Sequence, residues 1–167
     1  MSSFKSLESW VVPQAIDATE TTAKLPLGTR IRAEDKASTA YGIGEFIYLK
    51  GVASTAVGSA VVYNQDDHTT ALLAANAIGP VAFAMSANVA NQYGWYQIYG
   101  KAVGKVLASF ADNANCYGTS TAGSIDDAVV AGDRVQNCKG ASAIDTPSTG
   151  LAELEIQYPF VNDALAD

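Results

Sequence analysis

The side chains that could do chemistry in this chain are few and scattered. His68 is the only histidine, so a Ser-His-Asp or Cys-His arrangement would have to use it. It lies in the polar segment Asn64–Thr70 between two apolar runs, which is typical of a hairpin loop. The sequence therefore favours a turn residue over a catalytic histidine, and we predict no catalytic residue.

Neighbouring carboxylates offer the next possibility. The aspartate pairs at positions 66–67 and 126–127 could bind a hard cation, but neither fits the spacing of a calcium-binding loop. Glu153 and Glu155 share one face of a predicted strand, as a glycosidase pair might, yet any exposed strand face shows this alternation. The glycine-rich segments match no nucleotide-binding loop. We therefore expect no metal, no cofactor and no enzymatic activity.

Cys116 and Cys138 are the only cysteines, and both lie among Asn and Gly residues typical of loops. Two cysteines allow one disulfide, but the sequence does not fix their distance in space. Two free thiols are the favoured interpretation, with a structural disulfide as the alternative. A zinc site would need more ligands.

Short β-strands are predicted to position these residues. From Ala37 to Gly100 only four side chains are charged, and turn residues interrupt the apolar runs well before the ~20 residues of a membrane-spanning helix. The predicted strands are 29–33, 46–49, 60–63, 71–73, 80–85, 94–99, 133–137 and 151–158, the last ended by Pro159. Their spacing predicts a single-domain, all-β sandwich or barrel of short antiparallel strands.

Helix signals are weak. Helix propensity would allow a helix over Thr69–Ile78, but the flanking segments alternate, which favours two strands around Asn76–Gly79. One short helical turn is predicted at Ser124–Ala128.

Net charge excludes some partners. The formal charge is −7, and ten Lys and Arg residues are scattered along the chain. Phosphate-backbone binding needs a basic patch, so we expect neither nucleic acid nor an anionic membrane as a partner. The N-terminus lacks the apolar region of a signal peptide, which predicts a protein made and used inside a cell or in a particle assembled there.

Residues 1–28 are predicted to form an extended N-terminal arm, followed by one β-rich domain over residues 29–167. Trp10, Val11 and Val12 are apolar residues in this arm, and a large ring such as that of Trp10 is costly to leave exposed. Because arms of this kind often lie along another subunit, these three residues are candidate interface residues. Removing residues 1–24 is expected to weaken binding to the lattice of partner subunits while leaving the fold intact.

The segment Tyr93–Gly100 is the most aromatic in the chain. Strand alternation places Trp95 on one face and Tyr96 on the other. One face would be core and the other would present large rings of the kind enriched at interfaces. The alternative is that both faces are buried inside a barrel. Trp95 and Tyr96 complete the candidate interface residues.

Glycine and apolar positions follow a distinctive order along the chain. They occur at Leu27-Gly28-Thr29, 44–52, 58–64, 81–87 and Tyr93–Gly100, with a looser echo at 126–128 and 132–135. This order, over residues 27 to 109, resembles small structural proteins of tailed-bacteriophage heads, of the decoration or cement type.

The resemblance implies a non-enzymatic, cofactor-free virion protein on the exterior of the capsid, assembled in the host cytoplasm. Its partners would be the major capsid protein and itself, as a homotrimer or homodimer. Two other classes stay open. A phage tail or fibre component would share the β-rich character, although we find no repeats. A carbohydrate-binding module would use Trp95, Tyr96 and Tyr99 as a stacking platform.

Overall fold

The computed structural model describes residues 4–37 and 39–163, and within these ranges the only regular elements are β-strands. Twelve strands pair antiparallel in one sheet. They are β1 (Phe4–Ser6), β2 (Thr19–Glu20), β3 (Arg30–Asp35), β4 (Ile43–Lys50), β5 (Ala60–Tyr63), β6 (Thr70–Leu72), β7 (Gly79–Ala84), β8 (Tyr93–Lys105), β9 (Asn115–Gly118), β10 (Ile125–Asp126), β11 (Arg134–Gly140) and β12 (Leu151–Val161). The predicted all-β, single-domain fold is confirmed. The described residues include no helix able to cross a membrane.

Strand β8 is the centre of the sheet. Along Tyr93–Tyr99 it pairs with β4. It also pairs with β7 at Tyr96 and Gln97, and with β12 along Tyr99–Lys105. Because β12 pairs in turn with the start of β7, these three strands close on one another, as in a barrel-like sheet.

Three apolar clusters fill the interior. The largest includes Phe83 of β7 and Leu154 of β12. The second lies between β4, β5, β7 and β8 and contains Tyr96. The third joins β3, β4 and β8 to the N-terminal segment, and it contains Trp95 and Ile16. Both faces of β8 are therefore packed in the core at Trp95 and Tyr96.

The N-terminal segment lies along the sheet of its own chain. Phe4 in β1 pairs with Asp35 in β3, and Thr19 in β2 pairs with Gly94 in β8. Ile16, between these strands, is buried in the third cluster. The expectation that removing residues 1–24 leaves the fold intact conflicts with this packing, because the deletion would expose the third cluster.

The predicted strands correspond to β3 to β8, β11 and β12, with differences at their ends. Residues Thr69–Ile78 contain β6 and a turn rather than a helix, as preferred from the sequence. The predicted helical turn at Ser124–Ala128 is wrong, because residues 125–126 pair with β9 as β10. Pairing with the preceding strand determines the conformation of this segment.

Pro159 does not end β12 as predicted. The strand continues beyond it to Val161, past an irregularity in which Tyr158 has φ 51°. The pairing of β12 with β11 shifts register at the same place, between Gln136 and Cys138. A bulge tolerates the missing N–H of proline, because the ladder is already interrupted there.

Candidate interaction surfaces

The N-terminal segment exposes three apolar side chains within a short stretch. Trp10 is 41% exposed and Val11 is 90% exposed, and Leu7 is also exposed. Val12 differs, since it is partly buried and packs against the third cluster. Leu7, Trp10 and Val11 are called the N-terminal patch below, and they are available to a partner.

Hydrogen bonds hold this patch against β3. The Leu7 N–H donates to the carbonyl oxygen of Arg32 at 2.9 Å. The Arg32 N–H donates in turn to the Glu8 carboxylate at 2.8 Å. A patch fixed in this way loses less conformational freedom on binding than a free tail would lose.

Gln14 anchors the chain that follows the patch. Its side-chain amide donates to the carbonyl oxygens of Ala18 and Tyr93, both at 2.9 Å. Its Oε1 accepts from the Tyr48 hydroxyl at 2.6 Å, and its carbonyl oxygen accepts from the Trp95 indole N–H at 3.2 Å. Since Gln14 is buried, losing these bonds would leave several polar groups without partners.

Trp95 and Tyr96 are fully buried, so the prediction that they form an interface is wrong. The Trp95 ring packs in the third cluster, 5.0 Å from the Tyr48 ring between centroids. Tyr96 lies on the opposite face, where its hydroxyl accepts from Asn88 Nδ2 at 3.1 Å. Burial raises the pKa of Tyr96. The alternative interpretation, with both faces in the core, is confirmed at these two residues.

Further along β8, exposed apolar side chains form a second group. Tyr99 and Tyr158 are 40% and 50% exposed, and their ring centroids are 5.4 Å apart. The Tyr158 hydroxyl donates to the Glu45 carboxylate at 2.7 Å, and this bond is the main cause that raises the pKa of Tyr158. Ile43 and Phe160 are exposed on β4 and β12. We call the contacting rings of Tyr99 and Tyr158 the tyrosine patch.

Sequence reasoning missed Tyr158 for a physical reason. Ala152, Leu154 and Ile156 are buried, so strict alternation would turn Tyr158 inward. The positive φ of Tyr158 reverses the alternation, and the side chain faces solvent instead. Only an irregularity in the strand, which no local pattern predicts, brings Tyr158 to Tyr99.

A groove of about 570 Å³ adjoins the tyrosine patch. It is lined by Tyr99 and by polar side chains of β9, β11 and β12. Arg134 donates to the Asn115 side-chain oxygen at 3.0 Å, and Lys139 pairs with Glu155 at 3.1 Å. The groove therefore combines hydrogen-bonding groups with an exposed aromatic ring.

Other polar residues considered for catalysis stabilise turns and strand pairs. His68 lies in the turn between β5 and β6, as predicted. Asp67 beside it accepts from the Thr69 N–H and hydroxyl, and these bonds lower the pKa of Asp67. Glu153 pairs with Lys101 at 2.6 Å. Within the described part of the chain, no group of three or more His, Cys, Asp or Glu could hold a metal ion.

The remaining candidates have similar roles. Asp127 accepts from the Ala111 N–H at 2.9 Å, and Asp126 accepts from the N–H of Asp127.

Cys116 and Cys138 are free thiols, and they lie in strands rather than in the loops expected from their neighbours.

Comparison with known protein families, curated protein sequences and solved structures found no match to this chain. A functional interpretation therefore depends on the surfaces described above and on the resemblance noted in the sequence.

Proposed function

We propose that the chain is a non-enzymatic structural protein of a phage virion, which binds the outer surface of the head and stabilises the lattice of major capsid subunits. The observation that carries this proposal is the N-terminal patch, where Trp10 and Val11 are exposed on a segment held against its own sheet. Tryptophan is among the residues enriched at binding hot spots. The resemblance to decoration proteins supports the same function.

Binding would act on the capsid through mass action. A protein that binds only the assembled lattice stabilises it by about 2.7 kcal/mol per site when its free concentration is 100 times Kd. This gain repeats at every equivalent site of a symmetric particle. A homotrimer or homodimer would present several N-terminal patches at once, so modest single contacts would gain avidity.

The packing of the N-terminal segment supports this role. Gln14 fixes the chain after the patch and Leu7 is bonded to β3, so Trp10 is held between two anchored points. Little backbone freedom would then be lost when the patch meets the capsid. In this proposal the segment both covers the core and presents the binding residues.

Co-sedimentation with heads of the encoding phage that lack this protein tests the proposal. We expect saturable binding at a fixed number of copies per capsid subunit, together with greater resistance of the heads to heat. The double variant Trp10→Ser, Val11→Ser should weaken binding by roughly tenfold or more. Val129→Ser, which alters an exposed valine between β10 and β11, is the matched control and should bind normally. A folded wild-type protein that does not bind the heads would overturn the proposal.

A carbohydrate-binding module is the second candidate, favoured by the tyrosine patch and its polar groove. Trp95 and Tyr96 cannot form a stacking platform because they are buried, but Tyr99 and Tyr158 are exposed. A broad glycan panel tests this function. Retention that is lost in Tyr99→Ala, combined with no binding to heads, would replace the first proposal with the second.

A further inference from the structure

The two cysteines lie on neighbouring antiparallel strands. Val135 of β11 pairs with Cys116 of β9, and Lys139 pairs with Asn115. The residues of β11 between these two pairs include Cys138. They therefore bulge opposite the peptide bond that joins Asn115 and Cys116 in β9. Both cysteines belong to the largest buried cluster. Strand register and packing thus bring together two residues that are distant in sequence.

Hydrogen bonds fix the two strands on both sides of this pair. The Gly118 N–H donates to the Asp133 carbonyl oxygen at 2.7 Å. At the other end, the Gly140 N–H donates to the Ala114 carbonyl oxygen at 2.9 Å. The Cys138 thiol is also hydrogen-bonded to the Cys116 thiol, so the two sulfurs are in contact, as formation of a disulfide requires.

The two thiols differ in their access to solvent. Cys116 is fully buried, whereas Cys138 is 8% exposed and lines the polar groove. A hydrogen bond with Cys116, together with burial, raises the pKa of the Cys138 thiol. The thiolate is the reactive form, so oxidation at neutral pH should be slow. A small oxidant would reach Cys138 first.

We propose that Cys116 and Cys138 form a dithiol site that hydrogen peroxide converts into an intramolecular disulfide between β9 and β11. The Cys138 sulfur attacks one peroxide oxygen, the O–O bond breaks, and a sulfenic acid and water form. The Cys116 sulfur then attacks the Cys138 sulfur, the S–O bond breaks, and a second water leaves. Two thiols are oxidised, peroxide is reduced, and both thiol protons end in water. This site is independent of the proposed capsid binding.

Intact-mass measurement of the folded protein before and after peroxide treatment tests the site. We expect a loss of about 2 Da, for the two hydrogens removed. Peptide mapping without reductant should recover the segments around Cys116 and Cys138 as one linked species. The disulfide should raise Tm by roughly 5–10 °C, since it closes a loop in the unfolded chain, and a reductant should reverse both changes.

Two variants assign the roles of the sulfurs. Cys116→Ser should keep Cys138 at the groove, where a sulfenic-acid probe labels it after peroxide, whereas Cys138→Ser should resist labelling because Cys116 does not line the groove and is fully buried. Oxygen addition to wild-type Cys138 without the mass loss, or disulfide-linked dimers, would overturn the proposal. So would an unchanged mass under conditions that oxidise the unfolded chain.

Discussion

The two halves of strand β8 carry similar aromatic residues into different environments. Trp95 and Tyr96 are fully buried, whereas Tyr99, only three residues further on, is 40% exposed. The change occurs next to Gly100, which has φ 99° and lies where an added Cβ would be 2.7 Å from the Ile43 carbonyl oxygen. Only glycine suits this position. The comparison shows that aromatic content alone does not distinguish core from surface.

Cover from distant segments makes the difference. The N-terminal segment lies over Trp95, and β5 packs on the face of Tyr96. Tyr99 instead meets Tyr158, whose ring is itself half exposed. We therefore expect Trp95 and Tyr96, in the first half of β8, to contribute to core stability and the exposed ring of Tyr99, in the second half, to be free for binding.

The largest effect should come from Trp95→Ala. This change removes a fully buried ring and its hydrogen bond to Gln14, so it should lower the free energy of unfolding by about 3–5 kcal/mol. Urea unfolding followed by circular dichroism measures the loss. Tyr99→Ala is the control on the same strand and should cost less than about 1.5 kcal/mol. Equal losses would contradict the division of β8.

Gln14→Ala tests the segment that covers Trp95. The change removes the acceptor of the Tyr48 hydroxyl and the donor to the part-buried carbonyl oxygens of Ala18 and Tyr93, so we expect a loss of about 2–3 kcal/mol. Hydrogen exchange should also become faster around residues 14–20. Gln65→Ala, in the exposed turn after β5, is the matched control and should change stability by less than about 0.5 kcal/mol. If the two variants unfold alike, the N-terminal segment does not hold the core.

Strand positions could be predicted from the sequence because alternation and turn residues are local signals. The predicted strand Ala60–Tyr63, between the turn residues Gly58 and Asn64, has its observed bounds. The sequence does not reveal the short strands β1, β2, β9 and β10, because pairing with other strands, and not a local period, determines them.

Exposure was harder to predict than strand position. Nothing near Trp95 in sequence indicates that Gln14 and Ile16 lie over it. The alternation of Glu153 and Glu155 with the buried Leu154 and Ile156 is that of an exposed strand face, but it fails at Tyr158, where the strand is irregular. Of the five candidate interface residues, Trp10 and Val11 are exposed as an interface requires, whereas Val12 is partly buried and Trp95 and Tyr96 are fully buried.

An alkaline titration tests Tyr41, which lies between β3 and β4 and meets Lys101 in the second half of β8. Burial is the main cause that raises the pKa of Tyr41 to about 12, with Glu153 adding to it, and Lys101 lies 5.7 Å from the ring centroid. The folded state therefore holds the phenol proton more tightly than the unfolded state, whose tyrosine has a pKa near 10. Stability from Tyr41 is complete below pH 10 and is lost as the pH rises towards 12.

Tyr41→Phe should make the fall in stability shallower over this range, because one titrating group is removed. The measurement is the urea midpoint at several pH values between 9 and 12, with tyrosine ionisation followed by ultraviolet absorbance. Identical slopes for both proteins would show that the environment of Tyr41 does not distinguish its folded from its unfolded state.

The smallest effect should come from Tyr158→Phe, which keeps the ring and removes only the hydroxyl. Its bond to Glu45 is exposed, so its loss should cost less than about 0.5 kcal/mol. Tyr158→Ala also removes the ring contact with Tyr99 and should cost about 0.5–1.5 kcal/mol. Thermal unfolding of both variants measures the difference between ring and hydroxyl. A loss of stability in Tyr158→Phe as large as that in Trp95→Ala would show that the contact between Tyr158 and Tyr99 belongs to the core, because an exposed hydroxyl cannot contribute so much free energy by itself.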